Sequence, residues 1–254
     1  MSLRIAFDLD GVLADMDGEL VRQAEALFGE PMTRRLQERA SEAGSANGVD
    51  QDNGADAGSE LQAGDAPGIV PSLPKLNMTA RQERRLWHHV ETIENFWEGL
   101  NELEPGSIER LAAIATQRRW EIIFLTKRPK TAGLTAQVQS QRWLKSKGFE
   151  LPSVYVVQGS RGLIAASLGI DIVVDDRPEN CLDIVVDSKA RAILVWRDDE
   201  KHVPLAARRL GVGIVKTVGE CLDILTQVDS AKPGQPSVIE RVKRLFGLKE
   251  TASA

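Results

Sequence analysis

The stretch Arg4–Asp15, RIAFDLDGVLAD, decides how the rest of the 254-residue chain is read. It opens as an apolar run of strand type, Ile5-Ala6-Phe7, and ends in two carboxylates, Asp8 and Asp10, with Gly11 directly behind them. Negative charges crowded at the end of a buried strand are costly unless something positive shares the site. The segment therefore announces a site as well as a strand.

Working outward, the chain from Glu104 onward alternates between two kinds of element. Pro105–Arg118 has the spacing of a helix with Ile108, Leu111 and Ile114 inward, and WEIIFLT (Trp120–Thr126) is a continuous apolar strand. A helix ending near Gly148 leads to SVYVV (Ser153–Val157), and a short helix around Ile164 leads to DIVVDD (Asp171–Asp176). RAILVW and GVGIV supply two more strands, and a helix over Cys221–Val228 closes the series. Strands that are apolar throughout and alternate with helices predict an α/β fold, a doubly wound parallel sheet covered on both faces. In such sheets ligands bind in the crevice at the carboxyl ends of the strands.

Between Asp15 and Gly99 the composition is helical. One helical stretch runs from Asp17 to Arg39 with an interruption at Gly29-Glu30-Pro31. A second begins at Thr79, where Gln82 completes a capping box, and carries Leu86, Val90, Ile93 and Trp97 on one stripe. Residues 41–74 separate the two, with six acidic residues, no Lys or Arg, and no aromatic residue. That segment cannot bury enough apolar surface to offset the entropy of ordering and is expected to be disordered. The predicted organisation is a core of 1–14 and 100–228, a helical insertion of 15–99, and a tail of 229–254. The tail reads as an AKPGQP linker and a short amphipathic helix carrying Val238, Val242, Leu245 and Phe246. That helix is expected to pack back on the core, with a protein partner as the alternative.

Bulk properties narrow the class. Hydrophobic content of 42% and charged content of 27% are ordinary for a globular protein. No apolar run approaches the ~20 residues of a membrane span, and the N-terminus lacks the basic and apolar regions of a signal peptide. Cys181 and Cys221 make no disulfide framework or zinc motif, so a cytoplasmic protein is expected. The acidic insert distorts the net charge: removing its −6 from the whole-chain −5 leaves about +1, with no basic face suited to duplex nucleic acid.

Three predicted strands end in polar residues where the crevice lies: the first at Asp8 and Asp10, the second at Thr126, and the fourth at Asp175 and Asp176. Four carboxylates at one crevice predict a cation, and an oxygen-only donor set favours a hard one, Mg²⁺ best. Like charges ~4 Å apart repel by roughly 4 kcal/mol at an effective dielectric near 20, so an anionic substrate enters only if a metal and a basic side chain offset the carboxylates.

These motifs carry a resemblance. DxDGV at Asp8–Val12, a strand ending in Thr126, and the Asp175-Asp176 pair resemble the haloacid dehalogenase superfamily. FWEGLNELEPGSIERL (Phe96–Leu111) and VVDDRPENC (Val173–Cys181) are similar to its 5′(3′)-deoxyribonucleotidase-like branch. The resemblance implies a Rossmann-like core with a small helical cap inserted after the first strand. It implies a Mg²⁺-dependent phosphomonoesterase working through an aspartyl-phosphate on (deoxy)nucleoside monophosphates. Asp8 would be the nucleophile, and Asp10 would protonate the leaving oxygen and then take a proton from water. Thr126 and the backbone near Lys127 would bind phosphate. Asp8, the main-chain carbonyl of Asp10, and Asp175 and Asp176 would hold Mg²⁺. The family normally places a lysine before the last acidic pair; here the matching GSRG loop offers Arg161, with Lys127 and Arg128 as possible substitutes. Trp87, Phe96 and Trp97 are candidates to stack on a base, or else form the core of the cap. The competing readings are a phosphatase on another small phosphate ester or a polynucleotide end, and a catalytically weak binding or regulatory module. A dinucleotide-binding domain is disfavoured because no GxGxxG follows the first strand.

Overall fold

The computed structural model describes residues 3–46 and 76–230. In chain order the elements are β1 (Arg4–Asp8), α1 (Met16–Phe28), α2 (Glu30–Ala46), α3 (Ala80–Thr92), α4 (Ser107–Arg118), β2 (Glu121–Thr126), α5 (Ala136–Ser146), β3 (Ser153–Val156), α6 (Arg161–Leu168), β4 (Ile172–Asp175), α7 (Pro178–Asp187), β5 (Arg191–Val195), α8 (Leu205–Arg209), β6 (Gly213–Val215) and α9 (Val218–Ser230). Among the described residues the strands form one parallel sheet in the order β3-β2-β1-β4-β5-β6. The doubly wound parallel sheet predicted from the alternating apolar strands is the fold observed.

The order contains its own explanation of where chemistry can occur. From β1 the chain passes through α4 to β2 and through α5 to β3, moving one way across the sheet. From β3 it crosses back through α6 to β4 and continues in the opposite direction. Right-handed crossovers then put α4 and α5 on one face and α6, α7 and α8 on the other. The reversal falls between β1 and β4, and a crevice opens there at the carboxyl ends of the strands. The register that pairs Phe7 with Val174 carries Asp175 to the level of Asp8, and Asp8 itself pairs with Leu125, one residue before Thr126.

Burial follows from composition. Ile5, Ala6, Phe7, Phe124, Val174 and Ile193 are fully buried in the central strands. The layer of α6, α7 and α8 closes over Ala165, Cys181, Ile184, Leu194, Val203 and Ala207. Cys221 is equally buried in α9, and burial pushes both thiols up, out of the reactive range. The start of α6 is pinned twice. Ser160 caps it by accepting from the Leu163 amide and donates its own hydroxyl to Asp183 of α7. Gly162 lies so close to α7 that an added Cβ would meet the Asp183 carbonyl oxygen at 2.3 Å.

The chain divides into two compact units. The first holds the described residues of Met1–Met16, Trp97–Arg128 and Thr135–Ala254; the second holds those of Asp17–Phe96, together with Pro129–Leu134. The sequence reading assigns that last hexapeptide to the core. It joins the helical unit because the Ala132 amide donates to Glu91, the Asn95 amide to Ala132, and the Leu134 amide to the Asn95 side chain. Within the helical unit α3 begins at Thr79 with the capping box in place.

Two expectations are corrected here. The stripe of Leu86 and Val90 does not continue to Trp97, because α3 ends at Thr92, Ile93 is extended, and Asn95 has φ 52°. Trp97 instead lies in a short 3₁₀ turn, Phe96–Glu98, and is counted with the sheet unit. Also, α2 continues to Ala46, so the first residues of the segment expected to be disordered are helical; residues 47–74 of that segment lie outside the described residues, as does the expected tail helix.

The tight approach of α6 to α7 generates a prediction. Gly162→Ala forces the start of α6 away from α7, at a cost of about 1–3 kcal/mol for overpacking. The check is a fall in the denaturant midpoint with an unchanged slope; an unaffected midpoint would show that the two helices separate freely.

Candidate active site

After Asp8 the chain does not continue as a strand. The Leu13 and Ala14 amides both fold back onto the Leu9 carbonyl, and Leu9, Val12, Leu13 and Ala14 are all fully buried. This apolar turn anchors Asp10 from behind. Gly11, at φ +85°, is needed for the curl and for space, since a Cβ there would lie 2.0 Å from Asp176 Oδ2. The turn is also held from β5. Arg197 donates to the carbonyls of Gly11 and Val12 and pairs with Glu104 at 2.9 Å, and Glu104 accepts from the Val218 and Gly219 amides at the start of α9. Neither Arg197 nor Glu104 was recognisable as a site residue in the sequence, because both act through the backbone of other segments.

Asp8 is 7% exposed, and its carboxylate accepts from Arg161 Nη2. Arg161 is 2% exposed at the first position of α6, and its Nε lies 4.0 Å from Asp175 Oδ2. One guanidinium thus reaches two carboxylates from different strands. Its Nε and Nη1 are buried with no hydrogen-bond partner among the described residues. Two buried, unanswered donors on a cation are an unusual cost, and an arriving anion would satisfy them.

Asp175 is 1% exposed and accepts from the Arg177 amide at 2.9 Å and from Asn180 Nδ2 at 3.0 and 3.1 Å. Burial pushes the Asp175 carboxyl up, while Arg161, the Arg177 amide and Asn180 pull it back. Asp8 is pushed well above the usual carboxylate range, first by burial, against the pull of Arg161 and with the further push of Asp175, Asp176 and Asp10. Arg161 therefore does not outweigh desolvation and the surrounding negative charge.

Asp10 is held differently. Arg128 forks onto it, Nη2 to Oδ1 at 2.8 Å and Nε at 3.0 Å to each oxygen, and Thr126 donates its hydroxyl to Oδ2 at 3.0 Å. Arg128, by its place after Thr126 a possible stand-in for the missing lysine, has its guanidinium committed to Asp10 instead. Thr126 is fully buried with its hydroxyl directed at Asp10, while Lys127 is half-buried with no ion pair to a described residue.

Trp87, Phe96 and Trp97 are 4%, 5% and 0% exposed. The Arg128 guanidinium lies over the Trp97 ring at 5.0 Å, so that face is already taken. Of the two roles expected for these rings, burial favours packing over stacking. The two histidines of α3 also stand apart from the chemistry, His88 exposed beside Glu91 and His89 against Gln23.

The residues fit the expected Mg²⁺ in the chemistry of their donors, since Asp8, Asp175 and Asp176 offer only hard carboxylate oxygens and the charge crowded on Asp8 calls for a cation. Their present spacing is not that of a loaded site: among the described residues no three His, Cys, Asp or Glu side chains stand close enough together to hold a metal ion. No helix among these residues is long and apolar enough to cross a membrane.

No family model matches the chain, and no curated protein matches it. Among solved structures it is similar to a candidate β-phosphoglucomutase from Thermotoga maritima, at 18% identity and TM-score 0.49 over 89% of this chain and 99% of that one. It is also similar to a hydrolase from Pseudomonas syringae, at 18% identity and TM-score 0.45 over 91% and 100% of the two chains. A third likeness is to a HAD family hydrolase from Deinococcus radiodurans R1 with bound phosphate and sodium, at 14% identity and TM-score 0.45 over 89% and 96%.

The electrostatics of Asp8 generate a stability prediction with a definite sign. A carboxyl whose pKa is raised by folding favours the native state when protonated, and that contribution is lost as pH rises from the ordinary carboxylate range through the raised value. Asp8→Asn should therefore melt higher than the wild type at pH 7.5 in EDTA, where ~1 kcal/mol corresponds to about 2–4 °C. The gap should close as pH falls toward 4. A variant that melts lower at neutral pH would mean that the lost Arg161 contact outweighs the relief of buried charge.

Proposed function

We propose that the chain is a phosphomonoesterase of the haloacid dehalogenase type, with Asp8 as its nucleophile. The observation that carries this reading is the buried pairing of Asp8 with Arg161, a cation that keeps two donors unanswered directly beside the carboxylate. A phosphoryl dianion brings several acceptor oxygens to such a place and meets a nucleophile already in position.

Asp8 would form a bond to phosphorus as the ester oxygen leaves. Asp10 would give that oxygen a proton, then take one from the water that attacks phosphorus and releases phosphate from Asp8. Arg161 would bind equatorial oxygens through Nε and Nη1 and release some of its hold on Asp8 as the carboxylate becomes an acyl phosphate. Lys127, half-buried beside Thr126, would add positive charge. Mg²⁺, held by Asp8, the Asp10 carbonyl and the Asp175-Asp176 pair, would supply charge neutralisation when bound.

The substrate we favour is a nucleoside monophosphate, on the motifs FWEGLNELEPGSIERL and VVDDRPENC. The burial of Trp87, Phe96 and Trp97 favours a second reading, a small phosphate ester without a base, because none of these rings offers a stacking face.

The test is phosphate release with Mg²⁺ and with EDTA, over a panel of nucleoside monophosphates and sugar phosphates. Turnover should need the metal and vanish in Asp8→Asn, a loss on the order of 10³-fold or more, with the fold intact by circular dichroism. Undiminished turnover in Asp8→Asn would remove the proposed nucleophile, and indifference to nucleosides would select the second reading.

A further inference from the structure

Arg128 is the most deeply placed cation of the sheet unit, with a side chain that has 0% exposure. Its guanidinium lies over two indoles, 5.0 Å from the Trp97 ring centroid and 5.5 Å from that of Trp143. Nη1 donates to Ser140 Oγ at 2.9 Å, and Nη2 and Nε donate to Asp10. The frame is itself fixed: the Trp143 indole N–H donates to the Leu100 carbonyl, and Gln139 accepts from the Trp97 amide. A planar group set against two indole rings and hydrogen-bonded through all three nitrogens has one orientation, and lysine could not reproduce it. So much fixed structure behind one carboxylate exceeds what a surface ion pair needs.

The pattern of donors adds a second point. The Asp10 carboxylate accepts from Arg128 Nε and Nη2 and from the Thr126 hydroxyl. The Thr126 hydroxyl is oriented in turn, since its oxygen accepts from the Arg128 amide at 3.3 Å. These contacts fix the rotation of the Asp10 carboxylate as well as its place.

Resting on the phosphatase reading above, we infer that Arg128 is a positioning residue that holds Asp10 as the base for the second half-reaction, in which water is deprotonated and the aspartyl-phosphate is hydrolysed. Arg128 acts through its hydrogen bonds to Asp10, with no proton of its own transferred. Its loss should leave formation of the phosphoenzyme nearly intact when the leaving group needs no proton, and should slow its breakdown.

The experiment is rapid-mix kinetics with p-nitrophenyl phosphate and Mg²⁺ on the wild type and Arg128→Lys, with acid-quench measurement of protein-bound phosphate. In the variant, the first turnover should release about one equivalent of p-nitrophenol at a rate within a few-fold of wild type, phosphoenzyme should accumulate, and steady-state turnover should fall about 100-fold, a typical share for one proton-transfer group. Burst and steady state falling together, or neither falling, would overturn the assignment while leaving the phosphatase reading intact. A wild type that turns over no ester would overturn both. If Arg128→Lys does not fold, Ser140→Ala, which loosens the fork without touching Asp10, should give the same step-selective loss at roughly threefold; a uniform loss or none would again overturn it.

Discussion

A carboxylate at the end of β1, almost out of contact with water, is tolerable only in the company of a cation, and Arg161 is the cation this chain provides. The rest of the crevice is arranged around that contact. The sheet order sets β4 beside β1 and so brings Asp175 within reach of the same guanidinium. The start of α6 is fixed by Ser160, Asp183 and the close approach of Gly162 to α7, so the arginine arrives from a rigid platform rather than a loose loop. Even so, Asp8 remains more easily protonated than an ordinary aspartate, because burial and three like charges outweigh one arginine. The crevice holds Asp8 in an electrostatically unfavourable state, which a bound cation would relieve.

The two aspartates of the first motif are managed by two different arginines in opposite ways. Arg161 faces Asp8 with two nitrogens unpartnered among the described residues, whereas each nitrogen of Arg128 has a partner, Nη1 on Ser140 and Nη2 and Nε on Asp10. One arginine is built to change partners and the other to stay. The two carboxylates thus sit in different surroundings, although they lie only two residues apart.

Much of the architecture was legible in the sequence because parallel strands buried on both faces carry an unmistakable composition, as in Trp120–Thr126 and Ile172–Asp175. Strand ends were also legible, since carboxylates that stop an apolar run stand out, and Asp8, Asp10, Thr126 and Asp175 do meet at the reversal of the sheet. What escaped was contact through space. Arg128 reads as a possible substitute for the family's lysine because it follows Thr126 in sequence; only its seat against Trp97 and Trp143 and its fork onto Asp10 show what it holds. Trp97 looked like the last rung of a helical stripe because spacing alone cannot see the extended Ile93 and left-handed Asn95 that end α3. Arg197 belongs to no motif, and Glu104, though inside the Phe96–Leu111 stretch, carries no sign there that it ties the Gly11 turn to the segment after β5 and to α9.

The placement of the two cysteines has a practical corollary. Cys181 lies beneath the layer of α6, α7 and α8, and Cys221 belongs to α9, which packs with α4 against the other face. The chain holds no further thiols, and neither of these touches solvent. An alkylating reagent can reach one only when its own layer lifts from the sheet, so the molecule carries two native clocks, each timing the opening of a different side.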